Sequence, residues 1–469
     1  MTVAFVCSAQ GITAGEQIDL PTCAPPDRGH PAAAFTKLAA CRTPQAQAEP
    51  EEEPNEETGE ENQPDKKSME NEGVVEAAKT AFENKQYISA WHLDPAGYPL
   101  LSGIDAPSAA AGPAVFAKSG MPGTSRLREW TTNPAISTID GGDTLAAAIG
   151  IISLDAGTPN QQAEIGGPGP RVTAPTTRLG IGFEPELAWS REGTISPFAA
   201  VGATPVNGVV GPTVAGRLGA VLQLDEAKLT SEAYRQSIAE SILSYTGIVD
   251  PTTRIGFGRV VETGGRLGVE YPVAERLSLD GAGSAGIVRG MNVADNTHFS
   301  VQIAPSYDLH LPSFDSFSIG PSYQYDRFNR NLSEFTFGHG GYFSPQANHK
   351  IGASVNLQSA EGRDFIIRAE LFAGWETNFQ ASSPVFPLSN SGERFPAVHQ
   401  AAASVTGEGA FAYRVTPRLI LGGLVRVQQS PQYNDVLVGL SLKLSWGDRP
   451  ALFGSDLPTA AALIGPTER

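Results

Sequence analysis

Cysteine is almost absent from this 469-residue chain. Its three copies, Cys7, Cys23 and Cys41, all lie in the first 41 residues. A thiolate nucleophile or a cysteine-built metal site in the rest of the chain is thereby excluded, because both need the sulfur itself. The spacings match no zinc pattern and leave a Cys23–Cys41 disulfide or inert thiols. Long apolar runs are missing too: the longest, Leu145–Leu154, has about ten residues where a membrane helix needs roughly eighteen. Helical membrane spans are ruled out, and membrane barrels are not. Positive charge is scarce, with 33 Lys+Arg against 50 Asp+Glu and no basic block. Nucleic acid is set aside as a partner, since phosphate binding needs clustered Lys and Arg.

The charge that is present is uneven. Residues 1–80 hold 15 Asp+Glu and 6 Lys+Arg, net −9, which leaves −8 of the total −17 for the other 389 residues. Residues 1–20 have the short apolar stretch and Cys-Ser-Ala ending of a signal segment without its basic start, and read as a truncated or atypical one. Residues 21–72, rich in Glu, Pro, Asn and Gln, read as a disordered acidic linker that has too little to bury to offset its ordering entropy.

Residues 73–91 place Val74, Ala77, Ala78, Ala81, Phe82 and Tyr87 at helical spacing. They are similar to one degenerate tetratricopeptide half-repeat, and one such unit cannot bury its own face. A Pro/Gly/Ala-rich connector is expected over 92–140, and a C-terminal tail over 447–469.

Between them, residues 141–446 repeat one pattern. In His298–His310 the odd positions are Phe, Val, Ile, Pro, Tyr and Leu, while the even ones are mostly polar. The same period of two returns in Phe317–Asp326, Ile351–Gln358, Phe365–Glu376 and Val436–Trp446. Fifteen or sixteen such segments, separated by Pro, Gly, Asn and Asp, fill about 300 residues. About 19 residues per strand and loop suits tilted membrane strands of roughly 9–11 residues.

A soluble sandwich also alternates, so the period alone does not decide. The length of the alternating runs, the aromatics near segment ends (Phe299, Tyr307, Phe365, Trp375, Trp446) and the mid-strand charges on the polar face do. The predicted fold is all-β: a transmembrane antiparallel β-barrel of about 16 strands behind a mostly disordered leader with one short helix.

Two stretches carry a family resemblance. Tyr234–Tyr271, with Ser241-Ile-Leu-Ser-Tyr-Thr-Gly247, Asp250-Pro-Thr252 and Val260-Val-Glu-Thr-Gly-Gly-Arg-Leu267, resembles the C-terminal outer-membrane domain of the bacterial cellulose synthase operon protein C family. Asn292-Val-Ala-Asp-Asn-Thr297 and Phe335-Thr-Phe-Gly-His-Gly-Gly-Tyr-Phe-Ser-Pro-Gln346 resemble two further motifs of that domain in the same order. The resemblance implies a 16-stranded outer-membrane barrel that passes a nascent polysaccharide. The partners it implies are outer-membrane lipid and an inner-membrane synthase complex or periplasmic scaffold protein. Phe257-Gly-Arg259 stands where the family has Trp-Gly-Gly. The tetratricopeptide array expected before the barrel is reduced to residues 73–91.

Strand parity puts Arg266, Glu270, Asp308, Asp326, Arg368, Glu370, Glu376 and Arg426 on the inward face, either in direct sugar contact or pairing across strands. The Gly-rich stretch Gly338–Gln346 reads as an inward-folded turn, or as a constriction that touches sugar through His339, Tyr342, Phe343 and Gln346. His339 has no second ligand at metal spacing. Gly281-Ala-Gly-Ser-Ala-Gly286 matches a dinucleotide fingerprint in letters only, since no helix pattern follows it. With no Gly-x-Ser-x-Gly, Walker or His-Glu-x-x-His motif, neither a cofactor nor an enzyme is expected. A diffusion porin or surface adhesin, and a soluble secreted glycan-binding protein, are the competing readings.

Overall fold

The computed structural model describes residues 66–160, 163–224, 227–389 and 392–465. The chain divides into two units, Met1–Gln63 and Pro64–Arg469. The expected signal segment and most of the acidic linker fall in the first unit, outside the described residues.

The second unit is a closed antiparallel barrel of sixteen strands. Two of them are broken: β1 runs as Ser108–Ala111 and Pro113–Lys118, and β2 as Leu127–Thr132 and Ala135–Asp140. The others are β3 (Asp143–Asp155), β4 (Arg178–Arg191), β5 (Ile195–Ala203), β6 (Val214–Gln223), β7 (Lys228–Ser237) and β8 (Gly256–Ala274). They continue as β9 (Leu277–Met291), β10 (Asn296–Asp308), β11 (Phe314–Phe328), β12 (Ala347–Ser359), β13 (Phe365–Gln380), β14 (Val398–Thr416), β15 (Leu419–Gln429) and β16 (Asn434–Ser445). Each pairs with its neighbour, and β16 returns to β1 from Ser445↔Ser108 to Asp435↔Lys118. Closure removes the free sheet edge, which lipid could not satisfy.

The barrel therefore begins at Ser108, inside the stretch read above as a connector. The reason is physical: Ala114 and Phe116 point inward and are buried, while Val115 points outward, so both faces of this strand are apolar and the period of two vanishes. Pro134, which has no N–H to give to the ladder, stands at the break in β2.

Elsewhere the alternation is plain. On β16, Val436, Val438, Leu440, Leu442 and Leu444, continued by Trp446, are exposed on the outside, while Asp435, Leu437, Gly439, Ser441, Lys443 and Ser445 face in. Phe299, Tyr307, Phe365 and Trp375 are exposed on the same outer surface. Contiguous exposed apolar rows of this extent are a lipid-facing surface.

Short turns join the strands at one rim, such as Gly141-Gly142 and Glu275-Arg276, and longer loops at the other, such as 156–177, 238–255, 329–346 and 381–397. In barrels of this kind the short turns face the periplasm. An even strand number puts both ends of the barrel at that rim.

Two helices rest on the short-turn rim. The stretch expected to be one helix is two, α1 (Lys66–Glu83) and α2 (Tyr87–Leu93), broken where Lys85 takes a φ of 60°. Gln86 donates to Gly193 O at 2.7 Å, Ser89 N donates to Glu192 at 3.0 Å, and Lys85 and Tyr87 both reach Glu361. Tyr87 also packs on Phe453, ring centroids 4.9 Å apart.

The C-terminal stretch is not a loose tail. After β16 it turns back and enters the lumen, where α4 (Ala460–Ile464) lies against β1, β2 and β16. Leu452, Leu457, Leu463 and Ile464 join Ala114, Phe116, Ile152, Leu424 and Leu437 in one buried cluster. Burial of each such Leu or Ile is worth roughly 1.5–3 kcal/mol, which explains the apolar inward residues of β1 and β3. Asp456 fixes the entry, with Arg449 at 2.7 Å and Lys443 at 3.1 Å. Among the described residues, no helix is long and apolar enough to cross a membrane.

Candidate functional site

Opposite the tail, the lumen holds a cavity of about 620 Å³ walled by β8 to β15. Cross-strand register arranges its wall in tiers. Gln324, Lys350 and Glu376 form one, from the pairings Gln324↔Lys350 and Lys350↔Glu376. Nearer the periplasm lies Ser354, Phe372, Thr406 and Gln428, and below that Asn356, Glu370, Glu408 and Arg426. Amides, hydroxyls and carboxylates thus recur along the axis at two- and four-residue steps of the strands. The lining carries seven acids, Glu240, Glu262, Asp280, Asp326, Glu370, Glu376 and Glu408, against the bases Lys350 and Arg426 and a histidine, His298.

Above the cavity the long loops interlock. Loop 238–255 contains α3 (Ile242–Thr246), whose start is fixed by a capping box between Ser241 and Ser244. Ser241 Oγ donates to Gly341 O at 2.7 Å, so loop 329–346 lies directly on this helix. Gly341 has a φ of 66°, and a Cβ there would stand 2.9 Å from both Leu243 and Ser241 Oγ, so another residue would be strained and crowded. Glu240 accepts from Phe343 N at 3.1 Å and pairs with Lys118 of β1 at 2.8 Å. Lys118 also sits over the Tyr433 ring, 4.2 Å from its centroid.

Two further segments join the clasp. Asn296 donates to Tyr342 Oη at 3.0 Å, and Ala294 N donates to Gly338 O at 2.9 Å. Asp250 receives Gly167 N and Thr252 N, together with the N–H and hydroxyl of Thr253. Burial alone would push the Asp250 carboxyl up, but these donors outweigh it and hold the group below its ordinary range. The motif segments 241–247, 250–252, 292–297 and 335–346 therefore meet in one place, across the outer end of the lumen.

The structure sorts the sequence-selected residues into three groups. Asp326, Glu370, Glu376, Arg426 and Phe343 line the cavity. Arg266 faces inward but pairs across strands with Glu232 at 3.6 Å, and Glu270 does so with Lys228 at 2.7 Å. Asp308 closes a rim turn by accepting His310 N at 2.7 Å, and Arg368 lies on the inward face of β13 opposite Ala410.

The third group is buried between loops. Tyr342 is 1% exposed. Gln346 donates to Ser344 O at 2.9 Å and accepts from Ala381 N. His339 bonds Pro384 O at 2.9 Å through Nε2, and burial lowers its pKa to about 4 despite that contact. Of the Gly338–Gln346 stretch, Phe343 and Pro345 face the cavity; Tyr342, Gln346 and His339 lie loop against loop and hold that stretch in place. Sequence reasoning passed over Phe372, Tyr433, Glu408 and Glu240, though strand parity had already set Phe372 on the polar face. Among the described residues, no three His, Cys, Asp or Glu side chains are grouped to hold a metal.

The family model described as Cellulose synthase operon protein C C-terminus matches residues 125–446. A cellulose synthase operon protein C of Xanthomonas axonopodis pv. citri (strain 306) is 28% identical over 318 residues, covering 61% of this chain and 20% of that protein. One from Pseudomonas fluorescens (strain SBW25) is 24% identical over 205 residues, covering 42% and 16%. The chain thus spans about a fifth or less of the length of these relatives. Among solved structures, a bacterial polysaccharide outer membrane secretin aligns over 73% of this chain and 99% of its own, at 10% identity and a TM-score of 0.47.

Proposed function

The chain belongs to the family of the cellulose synthase operon protein C C-terminus, and from that premise we propose that it is the outer-membrane conduit through which a nascent polysaccharide, cellulose or a related β-glucan, leaves the cell. The observation that carries the reading is the tiered lumen wall: hydroxyls, amides and carboxylates repeat along the axis inside a closed barrel. A moving glycan exchanges its water for such groups one residue at a time. Many weak sites let it slide where one strong site would stall it.

In this reading Asp326, Glu370, Glu376, Arg426 and Phe343 contact the glycan. Arg266, Glu270, Asp308 and Arg368 shape the wall toward the periplasmic mouth. His339, Tyr342 and Gln346 hold the outer loops that part to release the polymer. The role is passive and not enzymatic, and polymerisation at the inner membrane supplies the drive. The helix pair on the short-turn rim is where an inner-membrane synthase complex or a periplasmic scaffold protein meets the pore.

Removing the chain from its host and measuring extracellular glucan is the test. Secreted glucan should fall to background and return on complementation. Unchanged secretion, with loss only of small-solute uptake, would make the barrel a diffusion porin instead.

A further inference from the structure

Phe372 is the large apolar side chain on the stretch of β13 that faces the lumen between Arg368 and Gln380. It lines the cavity and is half-buried. Its neighbour across one tier, Gly352, explains the ring's position: a Cβ on Gly352 would lie 2.8 Å from Phe372 Cζ. The ring is laid beside bare backbone where Gly352 faces Gly374, and it stays half-exposed to the cavity.

Polar groups stand around the rest of the ring. Ser354, Thr406 and Gln428 share its tier, Glu370 and Arg426 lie one tier toward the periplasm, and Lys350 Nζ stands 5.6 Å from the ring centroid. Thr406 Oγ1 and Arg426 Nε are buried without a hydrogen-bond partner. Buried polar atoms of that kind need a partner, and here they border an aromatic plate in a cavity.

A pyranose ring with equatorial substituents has the matching chemistry. Its axial C–H groups make an apolar face that suits the negative face of an aromatic ring. Its hydroxyls radiate around the rim, where the hydroxyl, amide and guanidinium groups stand. A chain carrying carboxylates would bring its charge against Glu370, Glu376 and Glu408.

We propose that Phe372 is the platform of a sugar-binding subsite in the lumen, which takes one ring of an extended, uncharged, β-linked glucan, with Thr406, Gln428 and Arg426 bonding its rim. The proposal rests on the export reading above and sharpens it to one place on the wall.

The test is titration of the full chain in detergent micelles with cellohexaose, and with maltohexaose for comparison, followed by saturation-transfer NMR. Wild type should bind cellohexaose saturably and at least about fivefold more tightly than maltohexaose. Phe372→Ala should weaken cellohexaose binding about tenfold, equivalent to about 1.4 kcal/mol, and Phe372→Trp should stay within about twofold of wild type. Heat-modifiable gel mobility shows that each variant is folded. Should Phe372→Ala misfold, Thr406→Val and Gln428→Ala are measured, each expected to weaken binding at least threefold. Equal affinity in wild type and the folded variants, or no binding by wild type, overturns the subsite. Secretion measured on the same strains separates the two readings. Lost binding with glucan export dependent on the chain leaves the conduit standing. Intact Phe372-dependent binding with export independent of the chain removes the conduit and leaves the subsite.

Discussion

Glu240 holds three parts of the outer end at once. Its carboxylate reaches Lys118 on the barrel wall and Phe343 N on loop 329–346, and its own loop carries α3. Lys118 is 8% exposed and Glu240 is 17% exposed, so the pair is little screened by solvent. Removing one partner of such a pair leaves the other charge uncompensated, at a cost of about 3 kcal/mol. Glu240→Gln or Lys118→Ala should therefore loosen the outer loops without unfolding the barrel. Cells carrying either variant should become sensitive to antibiotics too large for ordinary porins, and unchanged sensitivity would show that the loops are held elsewhere. At this scale the sequence is readable where a residue's role follows from its own strand. Asp326, Glu370, Glu376 and Arg426 face the cavity because parity puts them there. Tyr342, Gln346 and His339 bond residues 35 to 46 positions away, in loops whose mutual approach no local pattern encodes.

Among the elements, α4 and the stretch leading into it have the largest effect on the lumen. Leu463 lies against Gly439, where a Cβ would come within 2.6 Å of it, and it belongs to the cluster with Phe116 and Ile152. Leu463→Ala should destabilise the barrel by about 2–5 kcal/mol, lowering the temperature at which the folded band disappears in a heat-modifiability gel. No shift would mean that the tail adds no stability. The same contacts explain why β1 was hidden in the sequence. Its inward residues Ala114 and Phe116 are apolar to match the tail, so the alternation that reveals β10 to β14 is lost where a strand has apolar partners on both faces.

For the whole molecule, the lumen's charge is the governing quantity. Seven carboxylates face two bases around the cavity, within a wall of low dielectric that strengthens their field. Purified barrel in planar bilayers under a KCl gradient should show a cation-selective reversal potential, shifted toward zero by Glu370→Gln together with Glu408→Gln. Anion selectivity would contradict the charge count. The total of about sixteen strands was legible in the sequence and the closed sheet has sixteen, but residues 141–446 hold fourteen of them and the other two lie in the stretch read as a connector. The closing partner of β16 was not legible, because nothing local marks a strand as first.

That closing contact bears on how the barrel is made. Hairpins from β3 to β16 join residues close in sequence, whereas Lys118 and Asp435 are 317 positions apart and still pair. Contacts so distant form late, because loop closure must come before any gain from pairing. Until then β1 and β16 are open edges able to join a neighbouring molecule. Since α4 rests on β1, β2 and β16 together, its full binding surface exists only once the two edges have met. Docking of the tail is then the last step of assembly, and a chain deprived of it would reopen more readily and lose more molecules to aggregation through its open edges.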